Sequence, residues 1–244
     1  MYSTKINGEV LEFGTSGLLY RSNKLMYDRG TETLWRQFTG EPVVGPLVES
    51  GIKLELLPVL LTTWGDWLAT HPDTTVLDID TGLYPAELYV PEWDPRSIYY
   101  GVRRQPESSF PVWDKSDRLP EKSEVLGLIV NGEARAYPVE TLQQQPVLND
   151  NLGGRGLVVI TPGEGAGARA FQTNGQEFAT VRLAGNGAAS VIVVDQGGDE
   201  WRMGEDALVK VSDSSQRLDR LPSHVSYWFG WYAFHTATGI YGQN

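Results

Sequence analysis

The sequence predicts a β-rich α+β fold made of two related halves, an internal duplication in which each half is mostly antiparallel sheet with one short Trp-bearing helix. Three observations predict it. Two stretches of 21 residues, Leu54–Thr74 and Leu218–Thr238, superimpose at an offset of 164 positions with eight identities: Leu54/Leu218, Leu57/Leu221, Pro58/Pro222, Trp64/Trp228, Trp67/Trp231, Ala69/Ala233, His71/His235 and Thr74/Thr238. Trp and His are rare residues, so matching three of them in order marks a repeated unit. Asn-Gly pairs at 7–8, 131–132 and 174–175 interrupt strand-like runs. They are hairpin signals, because both central residues of a type I′ turn take positive φ. Helical periodicity is confined to short segments, which leaves β structure to fill the rest.

Taken in order, strands are expected at 9–13, 17–21, 24–28, 53–60 and 75–79 in the first half. In the second they are expected at 125–130, 133–137, 157–161, 168–172, 176–182, 190–195 and 207–211. Thr62 or Thr63 can cap a helix that runs through His71 and is stopped by Pro72. Ser226 can cap its counterpart through His235, and a third short helix is expected over Val139 to Gln144. Gly-Glu-Gly-Ala-Gly at 163–167 follows a strand without opening a helix or supplying a Lys, so it reads as a turn rather than a phosphate loop.

These elements divide the chain into three parts. Residues 1–80 are the first copy, lacking its N-terminal third, because the 46 residues Val125 to Ala170 have no counterpart before Met1. Residues 81–123 are a Pro- and aromatic-rich connection, whose aromatics predict packing on the body. Residues 124–244 are the second copy, complete. The open first copy is read as a route to self-association or to completion by a neighbouring element.

Composition narrows the function. The 244 residues carry a net charge of −11, which argues against nucleic acid or an anionic membrane surface as partner. No apolar run approaches the roughly 18 residues needed to span a bilayer, and the opening MYSTKINGEV has no apolar signal-peptide region. The absence of cysteine excludes disulfides, thiolate metal sites and Cys nucleophiles in these residues. No cofactor is expected. With three His and no ligand spacing of the His-x-x-x-His kind, no metal site is read either.

In each repeat, Trp64, Trp67, Leu68 and His71, or Trp228, Trp231, Tyr232 and His235, share one helical face. That face is an aromatic platform for a flat ligand or, more economically, packing against a core. The copies differ most at 15–37. The first carries Ser16, Tyr20, Arg21, Ser22, Asn23, Tyr27, Asp28, Arg29, Glu32, Trp35 and Gln37; the second keeps Asp195 and Trp201 and is otherwise small or aliphatic. Copies that keep a fold need a common core but not common polar groups. Tyr20, Arg21, Asn23, Tyr27, Asp28, Arg29 and Trp35 are therefore the candidate ligand-binding residues. Asp28 and Arg29 would orient a ligand through charge-assisted hydrogen bonds, and Tyr20, Tyr27 and Trp35 would supply apolar contact. The competing explanation is a wetter strand face.

The stretches FGTSGLLYRSNKLMYDRGTETLWRQFTGEPVVGPL, LLPVLLTTWGDWLATHPDTTVL and VNGEARAYPVETL with VLNDNLGG together resemble the bacterial family of domain of unknown function 3179. The resemblance is strongest over Phe13 to Leu77 and Gly127 to Gly154. It implies no established reaction. It does imply a Cys-Pro-x-Cys-type segment before the strand at Val10–Phe13, upstream of Met1, and an exported or lipid-anchored setting, which favours a periplasmic or extracellular location. The equivalent place in the second copy, 160–164, keeps Pro162 without cysteine. The function expected is binding of a small polar or sugar-like molecule, or of a protein partner, on the first copy. The alternatives are a redox or metal-assisted enzyme whose catalytic segment lies upstream, and a structural assembly subunit.

Overall fold

Alternating apolar residues and left-handed turn residues give this chain a β architecture. The computed structural model describes residues 1–80, 82–163, 167–184 and 191–243. Of the predicted turn at 163–167, residues 164–166 lie outside the described residues. Strands account for 37% of the chain and helices for 12%, and the sheets are mostly antiparallel, so the β-rich expectation holds.

The amino-terminal part opens with a two-stranded hairpin, β1 (Lys5–Ile6) and β2 (Glu9–Val10), around Asn7 and Gly8 at φ 50° and 90°. A four-stranded antiparallel sheet follows in simple order: β3 (Phe13–Tyr20), β4 (Asn23–Asp28), β5 (Leu34–Arg36) and β6 (Pro42–Val44). Ile6, Trp35 and Leu54 are its buried core, with Phe13, Met26 and Ile52 packed around them. The strand expected at 53–60 does not form. Tyr2 bridges Leu56 and Ser3 N–H donates to Glu55 O, so this segment is held by the amino terminus instead of by a sheet.

Helix α1 (Trp64–Thr70) is capped by Thr63, whose Oγ1 accepts from Asp66 N–H at 3.2 Å and donates to Asp66 Oδ2 at 2.7 Å. None of its residues is buried. The connection then departs from expectation. The strand predicted at 75–79 is absent and those residues are exposed, as are Leu83, Trp93 and Ile98; a short helix α2 (Ile98–Arg104) starts from a Ser97 cap. The stretch after α2 is tied down. Ser108 N–H donates to Glu121 Oε1, Phe110 sets its edge on Phe229, and Arg118 Nη1 donates to Thr238 O. In this second half Phe110 and Trp113 touch the body while keeping much of their surface exposed.

In the carboxy-terminal part, β7 (Glu124–Val130) and β8 (Glu133–Pro138) form the hairpin predicted around Asn131-Gly132, at φ 49° and 86°. Helix α3 (Val139–Gln144) follows as predicted. Next come β9 (Val147–Leu152), β10 (Arg155–Ile160), β11 (Arg169–Gln172), β12 (Phe178–Leu183), β13 (Val191–Asp195), β14 (Glu200–Met203), β15 (Ala207–Lys210) and β16 (Arg217–Leu221). They build an eight-stranded sheet in the order β12-β13-β14-β15-β16-β11-β10-β9. Asn174-Gly175 does not make the predicted hairpin: only Gly175 has positive φ, and β11 pairs with β10 and β16 rather than with β12.

The chain then changes sheet across Pro222. Strand β17 (Ser223–Tyr227) adds antiparallel to β7, helix α4 (Trp228–Phe234) follows, and β18 (Gly239–Ile240) runs parallel to β8. Ser226 is not the helix cap. It lies inside β17, and Tyr227 occupies the cap position without a side-chain bond. Strand β7 is buried on both faces. Leu126, Leu128 and Val130 join Leu148, Leu157 and Val159 in one core, and Val125 joins Ala136, Trp228 and Trp231 in another. Gly127 lies directly under the Trp231 ring, where any β-carbon would overlap it. That close approach is the physical reason for glycine in the middle of a buried strand.

Candidate functional site

The β3–β4 turn shows where the two parts of the molecule meet. Its central residues, Arg21 and Ser22, are both left-handed, at φ 49° and 63°. The same turn type uses Asn-Gly at 7–8 and 131–132. Each non-Gly residue held this way costs about 1 to 2 kcal/mol, and such strain persists where the side chains are needed. Both are engaged. Arg21 Nη1 donates to Ala233 O at the end of α4, and its guanidinium lies over the Tyr20 and Trp113 rings. Ser22 Oγ donates to Pro111 O and accepts from Trp113 N–H, both at 3.1 Å.

Beneath this turn lies a cavity of about 340 Å³ between the first sheet and β17–α4. Its first-sheet wall is Ser22, Asn23, Gln37 and Phe38; its opposite wall is His224, Ser226, Tyr227 and Phe229. Phe38 reaches across the interface. It stacks on Phe234 with ring centroids 4.9 Å apart and planes at 9°, and it meets the His224 ring edge-on at 5.2 Å. Met1, Tyr2 and Leu56 close the floor.

The chemistry of this cavity lies in groups the fold leaves unpaired. Asn23 Oδ1 and Ser226 Oγ are buried and have no hydrogen-bond partner among the described residues. An unpaired buried polar atom costs about 1 to 3 kcal/mol, and a polar occupant can relieve these two only if their side chains turn toward it, since neither oxygen has accessible surface. Burial pulls His224 down to about 4, helped by the Met1 ammonium and His235, so its imidazole is neutral at pH 7 and offers one donor and one acceptor. His235 is likewise pulled down to about 4, by burial first and then by Lys53, with Glu41 opposing. Among the described residues no carboxylate side chain and no guanidinium lines the cavity.

The structure divides the predicted residues into two groups. Asn23 lines the cavity, while Tyr20 and Arg21 stand at its edge, Tyr20 tilted on Phe234 at 6.1 Å and lying beneath the Arg36 guanidinium. Tyr27 and Arg29 are elsewhere: Tyr27 covers Gly14, and Arg29 lies over the Tyr27 ring and pairs with Glu12 at the surface. Asp28 and Trp35 are both fully buried. Trp35 Nε1 donates to Asp28 Oδ2 at 2.9 Å, and Thr31 donates to the same carboxylate through N–H and Oγ1. A ligand-orienting role for Asp28 is therefore corrected: its oxygens are occupied inside the fold and have no surface to offer. The same geometry recurs in the second half, where Trp201 Nε1 donates to Asp195 Oδ2 at 2.9 Å.

The sequence reading missed Phe38, His224, Tyr227 and Phe229 as site residues. A signal for some of them existed. His224, Ser226 and Phe229 stand where the matched stretch has Leu60, Thr62 and Gly65, so they are positions at which the two stretches differ. The helical faces also separate. Trp228 and Trp231 are core, whereas Trp64 is half exposed. Among the described residues no three His, Asp or Glu side chains gather as metal ligands, and no helix is long and apolar enough to cross a membrane.

Compared with known proteins, the chain is matched over residues 1–238 by the family model described as protein of unknown function (DUF3179). No curated protein and no solved structure matches.

Proposed function

We propose, for a chain that belongs to the DUF3179 family of proteins of unknown function, that it binds a small, neutral, sugar-like ligand in the cavity between the first sheet and β17–α4. The observation that carries the reading is the gathering of Asn23 and Gln37 from the first sheet and His224 and Ser226 from β17 around one aromatic-lined space. Phe38, Tyr227 and Phe229 supply flat apolar surface, and Asn23, Gln37, Ser226 and neutral His224 supply donors and acceptors. That mixture suits a ring with an apolar face and hydroxyls at its rim. A cationic ligand is disfavoured, since no carboxylate lines the cavity among the described residues and the Met1 ammonium is close by.

The same reading takes the two halves as copies of one unit. Four pairs of local geometry support it: Asp28–Trp35 with Asp195–Trp201, Phe13 edge-on to Trp35 with Phe178 edge-on to Trp201, Trp67–Thr74 with Trp231–Thr238, and His71 on Trp67 with His235 on Trp231. On this reading the cavity is formed where the copies face one another, from residues at which they diverged.

A panel of neutral methyl hexosides and polyols, followed by amide chemical shifts of the full chain, tests the site. Binding is expected to move Asn23, Gln37 and Ser226 together and to weaken at least about tenfold in Asn23→Ala, the loss of one polar contact. Saturating concentrations that leave these amides unmoved, or equal binding by Asn23→Ala, would end the proposal.

A further inference from the structure

The Asn-Gly pairs at 7–8, 131–132 and 174–175 are held by the fold in three different ways. Asn131-Gly132 is the turn of the β7–β8 hairpin, at φ 49° and 86°, and its strands pair from Val130 and Glu133 down to Val125 and Pro138. Its side chain is tied as well, since Asn131 Nδ2 donates to Gly153 O at 2.8 Å. Asn7-Gly8 turns the two-residue strands β1 and β2, at φ 50° and 90°. Asn174-Gly175 belongs to no such turn. It joins β11 to β12, which do not pair with each other, and of its two residues only Gly175 is left-handed, at φ 93°.

Both residues of this pair are exposed. The Asn174 N–H donates to Gln176 Oε1 at 2.8 Å. Among the described residues nothing holds the Asn174 side-chain amide or the Gly175 N–H, and the space over the Gly175 α-carbon is open to water.

An asparagine followed by glycine carries its own nucleophile. The glycine nitrogen attacks the asparagine Cγ, a five-membered succinimide closes, and the side-chain nitrogen leaves as ammonia. Water then opens the ring at one of its two carbonyls, giving aspartate or isoaspartate. One water enters, one ammonia departs, and nothing is oxidised or reduced. Glycine favours the attack because no β-carbon crowds its nitrogen. Ring closure also needs the asparagine side chain to swing over the next peptide, so both must be free to rotate. A left-handed turn locked in a paired hairpin has first to open, and its reaction is slowed by the cost of that opening.

We propose that Asn174 is a site of spontaneous deamidation and isoaspartate formation in the folded protein, with Asn131 protected and Asn7, in its short hairpin, between the two. The fold tolerates the product. Thr173 N–H donates to Gly156 O at 2.9 Å on one side, and Phe178 N–H donates to Asn149 Oδ1 at 2.8 Å on the other. The main-chain methylene that isoaspartate adds is therefore confined to the connection between them. The modification also adds a negative charge where Gly175, Gln176 and Glu177 line a surface hollow together with Asp150. This site lies apart from the cavity and does not depend on its ligand.

Peptide mapping of the full chain, incubated in mildly alkaline buffer and digested with trypsin, tests it. Trypsin places the three pairs on separate peptides, and Asn186-Gly187, which lies outside the described residues, on a fourth. The Asn174 peptide is expected to deamidate at least about tenfold faster than the Asn131 peptide, the factor set by local opening of the β7–β8 hairpin. It is also expected to accept a methyl group from S-adenosylmethionine through an isoaspartate methyltransferase, which ordinary aspartate does not. In urea, with all three pairs released from the fold, the rates are expected to converge. An unmodified Asn174, or an Asn131 that reacts as fast in the folded chain, overturns the proposal. So does an order that persists unchanged in urea, because it would come from neighbouring side chains and not from the fold.

Discussion

The Trp35 indole donates to the Asp28 carboxylate at 2.9 Å inside the first core, and both side chains are excluded from solvent. Burial alone would raise the Asp28 pKa, but the bonds from Trp35, Thr31 and Thr33 outweigh it and hold the carboxyl below its ordinary value. The pair closes the hairpin of β4 and β5 across its base and points away from any ligand.

Asp28→Ala is expected to destabilise the protein by about 2 kcal/mol, because it strands an indole N–H and a backbone N–H in the core. Denaturant titration measures this. The ionic contribution of Asp28 is present above the unfolded carboxyl range and is lost as the pH falls through its depressed folded value. In Asp28→Asn, the pH dependence of stability below the ordinary Asp range is expected to be shallower than in the parent. An unchanged acid profile would mean that the carboxylate is not held ionised by its partners.

Two histidines at the interface add acid sensitivity of the same sign over a higher pH range. His224 and His235 are both pulled down to about 4 from an ordinary value near 6.5. Between those values the unfolded chain binds protons that the folded chain refuses, so stability falls as the pH drops from about 6.5 toward 4. The expected loss is up to about 3 kcal/mol for each fully shifted His. His224→Phe is expected to flatten that slope by roughly half, measured by urea unfolding at several pH values between 4 and 7. A slope unaltered by the substitution would assign the effect to other groups.

Arg21 and Ser22 exchange turn strain for contacts across the interface. The double substitution Arg21→Asn and Ser22→Gly relieves about 1 to 2 kcal/mol of left-handed strain per residue while removing the bonds to Ala233 O and Pro111 O. Hydrogen exchange is expected to slow in the β3–β4 hairpin and to quicken at Phe234 and over 110–113. Uniform change in both regions would show that the turn does not couple them.

Ser226→Ala removes a buried hydroxyl that has no partner. Stability of the free protein is expected to rise by about 1 kcal/mol as affinity for a hexoside falls, the reverse of what a packing residue would do. A thermal melt with and without ligand separates the two. A loss of stability in the free protein would count against the cavity as a binding site.

Gly127→Val is expected to prevent folding or to cost at least about 3 kcal/mol, since the added methyls would enter the Trp231 ring and the backbone cannot yield without breaking β7 from β17. Circular dichroism and a denaturation midpoint read the outcome. Wild-type stability would show that α4 can move, and that the fit between glycine and indole is not selective.

Much of the β architecture was legible because its causes are local. Asn7-Gly8 and Asn131-Gly132 fix hairpins through their own backbone preferences, and Val139–Gln144 and the Thr63 cap follow from neighbours along the chain. Asn174-Gly175 failed because the strands beside it found better partners elsewhere in the sheet. The stretch 53–60 reads as a strand by composition, yet its backbone partners are Tyr2, Ser3 and Met1. Short strands such as Leu34–Arg36 and Pro42–Val44 carry too few residues to show a period.

The candidate site was only half legible for the same reason. Comparison of the two halves of the sequence pointed to the polar stretch Tyr20–Trp35, and it is there that Arg21, Ser22 and Asn23 reach the interface. It could not separate Asn23, which faces a cavity, from Asp28, which faces an indole, since adjacent polar residues on one strand differ only in which side they meet. By itself the sequence determined the β-rich class, the Trp-His helices and the hairpins at Asn7-Gly8 and Asn131-Gly132, all set by short-range sterics and periodicity. The tertiary structure alone decided that Phe38 would meet His224, that Ser226 would stay unpaired, and that α4 would be covered while α1 stayed open. Those outcomes depend on which surfaces, distant in the chain, come to exclude water from each other.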